Sequence, residues 1–437
     1  MNIPRRIAQT LINSLKGGVV PRVGLPYITV GRKAEIDALL HDVEIIADGG
    51  ASFRFIMGKY GSGKSFLLQT IRNYVMAKNF VVVDADLSPE RRLQGTRGQG
   101  LATYKELIRN ISTKTRPEGG ALSLILDRWI SNTQQQVMEE SGLGITDPGL
   151  APAVEKKIAS VIYSLNEMVH GFDFARLLTL YYQAYVAGDD GTKAKVLKWF
   201  RGEYGTKTEA KQDLGVNIII TDDDWYEYLK LFAAFLKQAG YAGMLILIDE
   251  LVNIYKIPHS ITRQYNYEKI LTMYNDTMQG KAQHLGIILC GTPQCMEDPR
   301  RGVYSYEALR SRLAEGHFAG EHKDLLSPVI RLQPLTYDEM LILVEKLADI
   351  HAGLYGYSQI VTQQDMADFI EIEFTRIGAD THITPREVIR DFIEVLDIVY
   401  QNPELKVRTL LGSDKFTYAK NAVEAETTDE QFAEFEL

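Results

Sequence analysis

The chain has 437 residues, with 48 lysines and arginines against 57 aspartates and glutamates, for a formal charge of −9. This balance excludes a generally basic protein that coats nucleic acid, although it allows a local basic patch. Two cysteines exclude a disulfide framework, and we therefore expect a reducing, cytoplasmic location. The longest apolar runs, such as 244–248, are too short to span a bilayer, so we expect no contact with a membrane.

The spacing of apolar residues predicts, in chain order, an amphipathic helix at 7–15, a helix at 33–46, a buried strand at 53–57, a helix at 66–77 and a second strand at 80–85. The second strand is rich in β-branched residues and ends in acidic ones, which is typical of a strand in a parallel sheet. Strand, helix and strand in this order predict an α/β fold with a parallel sheet covered by helices.

The pattern becomes almost wholly helical after about residue 101. It predicts helices at 104–112, 122–139, 153–169, 173–187, 193–201 and 223–239, and then strands at 243–250 and 285–290 on either side of a helix at 261–278. Residues 336–400 are predicted to be helical again, with a junction at Pro385.

The most specific motif is the segment Gly58–Ser65, GKYGSGKS, which fits the phosphate-loop pattern GxxxxGK[ST]. It follows a predicted strand and precedes a predicted helix, as the motif requires. Its glycines let the backbone N–H groups converge on one point, and the helix directs its positive N-terminal end to that point. Lys64 is then expected to reach the β- and γ-phosphates, and Ser65 to coordinate Mg²⁺. The alternative is a glycine-rich turn that fits by chance.

The loop as a whole supplies the cofactor-binding candidates Gly58, Lys59, Tyr60, Gly61, Ser62, Gly63, Lys64, Ser65 and Phe66.

A second motif ends the predicted strand at 243–250, where Asp249 and Glu250 follow a run of apolar residues. Ligands of parallel sheets bind at the carboxyl ends of the strands. Asp249 is therefore expected to hold Mg²⁺ with Ser65, and Glu250 to orient or deprotonate the attacking water. The alternative is a strand end capped by surface acids, and the pairing with the glycine loop favours the catalytic interpretation.

Thr292 follows the predicted strand at 285–290 and is a third candidate. A polar residue at the tip of a neighbouring strand can contact the γ-phosphate or the water. An ordinary turn at Gly291 and Pro293 would explain the same residues.

The order of glycine loop, Asp-Glu strand and Thr-tipped strand resembles AAA+ ATPases of the origin-recognition and initiator-like type. Thr29–Arg32, followed by Glu35, is similar to the segment that lies beside the adenine in that group. This resemblance makes Val30, Gly31 and Arg32 candidate nucleotide contacts. It also implies a P-loop AAA+ domain with a C-terminal helical lid, with ATP and Mg²⁺ as cofactors.

The resemblance implies roles for three arginines. Arg312 lies 20 residues after Thr292, and with Arg310 it stands where the group carries an arginine finger supplied by a neighbouring subunit. Arg386, in the segment TPRE, stands where the group often has a second nucleotide-sensing arginine. A cation at a helix start opposes the helix dipole, which a phosphate partner would explain. Solvated surface arginines are the alternative in each case.

More narrowly, the chain resembles the ATP-binding proteins of BREX-type bacterial phage-defence systems. The resemblance rests on Asp86–Arg97 (DLSPERRLQGTR), on Gly202 and Leu214–Val216 before the Asp-Glu strand, and on the TPRE helix. One departure concerns the winged-helix domain that usually follows in origin-type proteins. Only 37 residues follow Tyr400, which makes direct reading of duplex DNA by that module doubtful.

These signals predict the following domains: an N-terminal helix and loop at 1–27, a nucleotide-binding α/β domain at 28–330 with a helical insertion at about 105–215, a helical lid at 331–405 and an acidic tail at 406–437. The stretch 423–437 holds six acidic residues and no basic one.

Lysines and arginines between residues 193 and 211 alternate with Trp199, Phe200 and Tyr204. Basic residues with interleaved aromatics can follow a phosphate backbone and stack on bases. The alternative, which we favour, is a solvated helix with its aromatic side in the core.

The sequence thus predicts a Mg-dependent AAA+ ATPase that couples ATP to the assembly or loading of a DNA-processing machine in phage defence. Its expected partners are further copies of itself and DNA or a DNA-processing protein, such as a helicase or nuclease. Two alternatives remain: a nucleotide-dependent switch with little turnover, and a signalling NTPase that senses phage.

Overall fold

The computed structural model describes residues 3–314, 324–376 and 384–412. The strands are β1 (Ala51–Met57), β2 (Val81–Asp86), β3 (Met244–Asp249), β4 (Leu285–Gly291) and β5 (Val329–Arg331). The helices are α1 (Arg5–Lys16), α2 (Leu25–Ile28), α3 (Lys33–Ala47), α4 (Lys64–Ala77), α5 (Gln99–Arg109), α6 (Leu122–Ser141), α7 (Leu150–Leu165), α8 (Gly171–Ala187), α9 (Asp190–Phe200), α10 (Lys207–Leu214), α11 (Trp225–Gln238), α12 (Val252–Tyr255), α13 (Ser260–Met278), α14 (Pro293–Glu297), α15 (Glu307–Leu313), α16 (Tyr337–Tyr355), α17 (Gln363–Arg376), α18 (Pro385–Gln401) and α19 (Val407–Leu411).

The five strands form one sheet in the order β2-β3-β4-β1-β5, and every neighbouring pair is parallel. The predicted α/β fold with a parallel sheet is therefore confirmed. All residues of β3 and β4 are buried, as expected when helices cover both faces of a sheet. Because the strands are parallel, their carboxyl ends share one edge, and Asp86 of β2 lies in register with Asp249 of β3.

The chain divides into two compact units. The sheet unit comprises Ala34–Lys59 and Thr70–Arg331, and the helical unit comprises Met1–Lys33, Tyr60–Gln69 and Leu332–Leu437.

Each unit has its own apolar core. In the sheet unit, the core includes the inward side chains of the strands and all three tryptophans, Trp129, Trp199 and Trp225. In the helical unit, α1 packs against α16 and α18 around residues such as Leu11 and Val344.

The structure differs from the sequence prediction at several element boundaries. α5 ends at Arg109, earlier than predicted, because the backbone of Ser112 exchanges hydrogen bonds with Val82 of β2 at 2.8 and 3.0 Å. The helix α10 was not predicted, although Thr206 caps it by accepting the N–H of Glu209. The predicted helical stretch 336–400 is interrupted at Gly356, which ends α16 in a left-handed conformation.

The strand β5 was also missed by the sequence prediction, because three residues carry too little periodicity. A buried ion pair fixes the chain that leads into it. Arg54 of β1 pairs with Asp42 of α3 at 2.6 Å and donates to the carbonyl oxygen of Leu326 at 2.7 Å. This long-range contact holds the segment before β5 beside β1.

The predicted acidic tail lies outside the described residues from residue 413 onward. Within the described part of the chain, no helix combines the length and the apolar character needed to cross a membrane.

A buried polar cluster joins three helices of the helical unit. The Asp397 carboxylate of α18 contacts Nε2 of His351 on α16 at 3.1 Å and pairs with Lys16 of α1. Nδ1 of His351 lies 2.7 Å from the hydroxyl of Tyr357. Burial lowers the pKa of His351 below its usual 6.5, although Asp397 acts in the opposite direction.

We predict that folding stability falls as the pH drops below about 6.5, because the unfolded chain then binds a proton at His351 that the folded chain binds less readily. The drop should be smaller in His351→Gln than in the control His41→Gln, which changes an exposed histidine. Urea unfolding at pH 7.5 and 5.5, followed by circular dichroism, measures it. Equal drops in both variants would contradict the assignment.

Candidate functional site

The glycine-rich loop 58–63 leaves the carboxyl end of β1 and leads directly into α4. β1 lies inside the sheet, between β4 and β5. The N–H of Gly58 donates to the carbonyl oxygen of Gly291 at 3.1 Å, so the pairing of β1 with β4 extends into the start of the loop. The strand–loop–helix context that the phosphate-loop motif requires is therefore present.

Two glycines give the loop its shape. Gly61 and Gly63 have φ angles of 73° and 93°, in the left-handed region that other residues rarely adopt. A Cβ atom at Gly63 would find no other atom within 4 Å, so the backbone is open on that side. Between them, Ser62 is buried, and its Oγ has no hydrogen-bond partner among the described residues.

Arg32 holds the loop from within the helical unit. The residue is 5% exposed, and Nη2 of its guanidinium donates to the carbonyl oxygens of Ser62 at 3.1 Å and of Gln333 at 2.9 Å. The structure thus brings Arg32 to the loop. The hydrogen bonds of its guanidinium described here go to backbone carbonyl oxygens.

The two neighbours of Arg32 lie in close packing. Gly31 has a φ angle of 65°, and a Cβ atom there would lie 2.5 Å from the carboxyl carbon of Glu339. Val30 packs against the apolar core of the helical unit, as does Phe66 in the first turn of α4. These contacts account for the residue types at 30, 31 and 66 through packing.

The start of α18 also meets the loop. Thr384 caps this helix, and a Cβ atom at Gly61 would lie 2.5 Å from Cβ of Thr384. Nη1 of Arg386 donates to the hydroxyl of Tyr60 at 2.9 Å, and its guanidinium carbon lies 5.1 Å from the centre of the Tyr60 ring. The structure therefore brings Arg386 to the loop, and Thr384 is a contact that sequence reasoning missed.

The carboxyl end of β3 carries the predicted acidic pair in the sheet unit. Asp249 is 9% exposed, and its Oδ1 accepts the N–H of Glu250 at 2.8 Å. Glu250 is exposed and has a φ angle of 61°, which is uncommon for a residue with a side chain. Such backbone strain costs about 1–3 kcal/mol and is concentrated at functional sites.

Asp86 is a further acidic residue at this edge, and sequence reasoning missed it. It ends β2 in register with Asp249. Desolvation of its carboxylate, followed by the charges of Asp249, Asp84 and Glu250, raises the pKa of Asp86 to about 6, although the residue as a whole is exposed at the end of β2. Its signal was the acidic end of the predicted strand at 80–85, but only the sheet order shows that β2 and β3 are neighbours. Concentrated negative charge of this kind favours a cation.

Thr292 follows β4 and precedes α14. Its carbonyl oxygen accepts the N–H of Cys295 at 3.1 Å, whereas its side chain makes no capping hydrogen bond. Gly291 is required here because a Cβ atom would lie 2.5 Å from Sγ of Cys295. The turn is therefore tightly packed, and the hydroxyl of Thr292 does not cap α14.

Arg310 and Arg312 lie on α15 and are both exposed. Nη1 of Arg312 donates to the carbonyl oxygen of Ala308 in the same helix at 2.7 Å, and Arg310 lies 3.9 Å from Glu307. Both arginines are thus at the surface of the sheet unit, with contacts to their own helix.

The basic and aromatic residues near residue 199 face different surroundings. Trp199, Phe200 and Tyr204 are buried. Lys195 lies 3.0 Å from Asp213, and Lys198 lies 2.5 Å from Glu209. These contacts favour the interpretation as a solvated helix with its aromatic side in the core.

The parallel sheet and the glycine loop after an inner strand define an α/β protein of the phosphate-loop class. The family described as "BREX system ATP-binding protein BrxC/D" matches residues 3–415, and the chain belongs to this family. The predicted resemblance to BREX ATP-binding proteins is thereby confirmed. No curated protein matches the chain.

We predict that Gly61→Ala destabilises the fold more than Gly63→Ala, by at least about 1 kcal/mol. Both variants place a side chain at positive φ, but only the methyl group added by Gly61→Ala would collide with Thr384. Thermal unfolding without nucleotide compares the two. A Gly61→Ala protein as stable as Gly63→Ala would contradict this packing.

Proposed function

We propose that the protein binds and hydrolyses ATP with Mg²⁺ and couples this cycle to the assembly or loading of a DNA-processing machine in phage defence. One observation carries the proposal: a GxxxxGKS loop follows β1, and the Asp249-Glu250 pair ends β3 at the same edge of one parallel sheet. Membership of a BREX ATP-binding family supports ATP as the nucleotide and phage defence as the setting.

The residues of the loop fit a nucleotide phosphate. The open side of Gly63 and the buried, unpartnered Oγ of Ser62 are what a cradle for phosphate oxygens offers. Lys64 begins α4, where the N-terminal end of the helix favours an anion. Bound ATP would supply the phosphoanhydride bond whose cleavage transfers the γ-phosphoryl group to water.

Magnesium fits the carboxylates at the carboxyl edge of the sheet. The described residues contain no group of three or more acidic, histidine or cysteine side chains able to hold a metal alone. Mg²⁺ in such sites typically keeps waters and shares one or two protein ligands with the substrate phosphates. Asp249 and the Ser65 hydroxyl are the proposed protein ligands, and Asp86 adds negative charge beside Asp249.

The remaining roles follow from charge and position. Lys64 neutralises the β- and γ-phosphates, and Glu250 accepts a proton from the attacking water or orients it. Thr292, whose hydroxyl is not used to cap α14, is the proposed hydrogen-bond donor to the γ-phosphate or the water. Arg386, at the loop, is the proposed sensor of the γ-phosphate.

Arg310 and Arg312 are proposed to act in a neighbouring subunit, with one of them as the arginine finger. Their exposure on α15 supports this role, because a finger must reach a site on another chain. The active form is then a homo-oligomer. DNA, or a helicase or nuclease that processes it, is the proposed partner.

A nucleotide switch with little turnover is the second candidate. The observation that favours it is the exposure of Glu250, since a general base must be held close to its water. A signalling NTPase that senses phage is a third candidate, with the helices α5–α11 as its recognition region.

Lys64→Ala should lower the affinity for ATP about ten- to hundredfold, because the charge-assisted contact to the phosphates is lost. Lys78→Ala is the matched control, since Lys78 follows the other end of α4 and pairs with Glu44 at 3.6 Å. Fluorescence titration with labelled ATP measures both affinities. Retention of wild-type affinity by Lys64→Ala would refute the site.

Glu250→Gln should keep ATP binding and slow hydrolysis at least about a hundredfold, because the general base is lost while the phosphate contacts remain. Phosphate release is measured against protein concentration, with and without single- and double-stranded DNA, and with Glu139→Gln as surface control. Unchanged turnover would remove Glu250 from this role. A flat, near-zero wild-type rate with firm ATP binding would favour the switch.

A further inference from the structure

The tip of the loop packs closely against the side chain of Thr384, the N-cap residue of α18. Thr384 caps α18, accepting the N–H of Glu387 and donating its own hydroxyl to the Glu387 carboxylate at 2.7 Å. Gly61 packs so closely on Thr384 that any side chain would collide. Arg386 lies two residues after Thr384, and the position of its Cα atom relative to the loop is therefore fixed.

The guanidinium of Arg386 is held by one residue among the contacts described for it, Tyr60. The Tyr60 hydroxyl accepts a hydrogen bond from Nη1 at 2.9 Å, and the ring lies 5.1 Å from the guanidinium carbon. Tyr60 is 71% exposed, so the core of the helical unit gives no reason for an aromatic residue at this position.

Without this contact, the position of the Arg386 side chain would be poorly determined. The residue is exposed and lies in the first turn of α18, where the helix dipole repels a cation. A long side chain of this kind gains rotamer entropy when it is released into solvent. Tyr60 opposes both tendencies by offering a π-face and an acceptor on the loop itself.

We propose that Tyr60 is a positioning residue, which holds Arg386 over the loop so that the guanidinium meets the γ-phosphate of bound ATP. This inference rests on the proposed ATP site and adds to it the residue that places its sensor. Tyr60 acts through Arg386 and does not contact the reacting atoms. Because ADP lacks the γ-phosphate, Tyr60 should strengthen the binding of ATP and leave the binding of ADP unchanged.

The test is a double-mutant cycle on the full chain, with the ratio of ADP to ATP dissociation constants as readout. Tyr60→Phe removes the hydroxyl and keeps the ring, Tyr60→Leu removes both, and Arg386→Gln removes the cation. Matched controls are Arg390→Gln, one turn later on α18, and Tyr163→Leu, an exposed tyrosine on α7. A purely structural role would change both dissociation constants and leave their ratio unmoved.

The ratio should fall about twofold in Tyr60→Phe and about fivefold in Tyr60→Leu, as expected for an exposed cation–π contact. It should fall about tenfold in Arg386→Gln. In the Arg386→Gln background, Tyr60→Leu should have no further effect, and the controls should match the wild type.

Two results overturn the inference while leaving the ATP site intact. One is a ratio that stays unchanged or rises in Tyr60→Leu, and the other is an equal fall with and without Arg386. In both cases, Lys64→Ala still loses ATP binding, which shows that the ATP site is correctly assigned and only the role of Tyr60 is wrong. If Lys64→Ala instead binds ATP like the wild type, the site itself fails, and the positioning role fails with it.

Discussion

Parallel pairing of five strands around a buried β1 is the constraint on which the rest of the structure depends. Strands buried on both faces must be apolar along their length, so polar groups accumulate where they end. Because all five run in one direction, those ends share one edge. Asp86, Asp249 and Thr292 are brought to this edge by pairing alone, and β1 ends at the same edge.

The glycine-rich part of the loop is supported by contacts within the helical unit. A turn with two glycines at positive φ has many alternative conformations in the unfolded chain, and fixing one of them costs entropy. Within the helical unit, buried Arg32 binds the Ser62 carbonyl oxygen, and Thr384 fills the space that a side chain at Gly61 would occupy. The same contacts that shape the loop also bring Arg386, the proposed sensor, beside it.

Sequence reasoning performed well wherever the signal is local. The strands β1 to β4 are short apolar runs with clear ends, and the phosphate loop is a contiguous motif, so both could be predicted. It missed β5, whose preceding segment is held by Arg54, and it placed Ser112 in a helix, whereas Ser112 pairs with Val82. In both cases a distant partner overrides the local preference. Arg32 shows a related difficulty, because the motif marks the residue but not the backbone oxygens that it binds.

The sequence by itself determined the α/β class, the loop with its lysine and serine, and the acidic end of β3, because each depends on residues that are adjacent in the sequence. Only the tertiary structure decided that Asp86 lies beside Asp249 and that Tyr60 meets Arg386, 326 residues later in the chain. The physical reason is that strand order and helix packing are set by the burial of whole apolar faces. A contact between two exposed side chains is a consequence of that burial and leaves no periodic trace in the sequence.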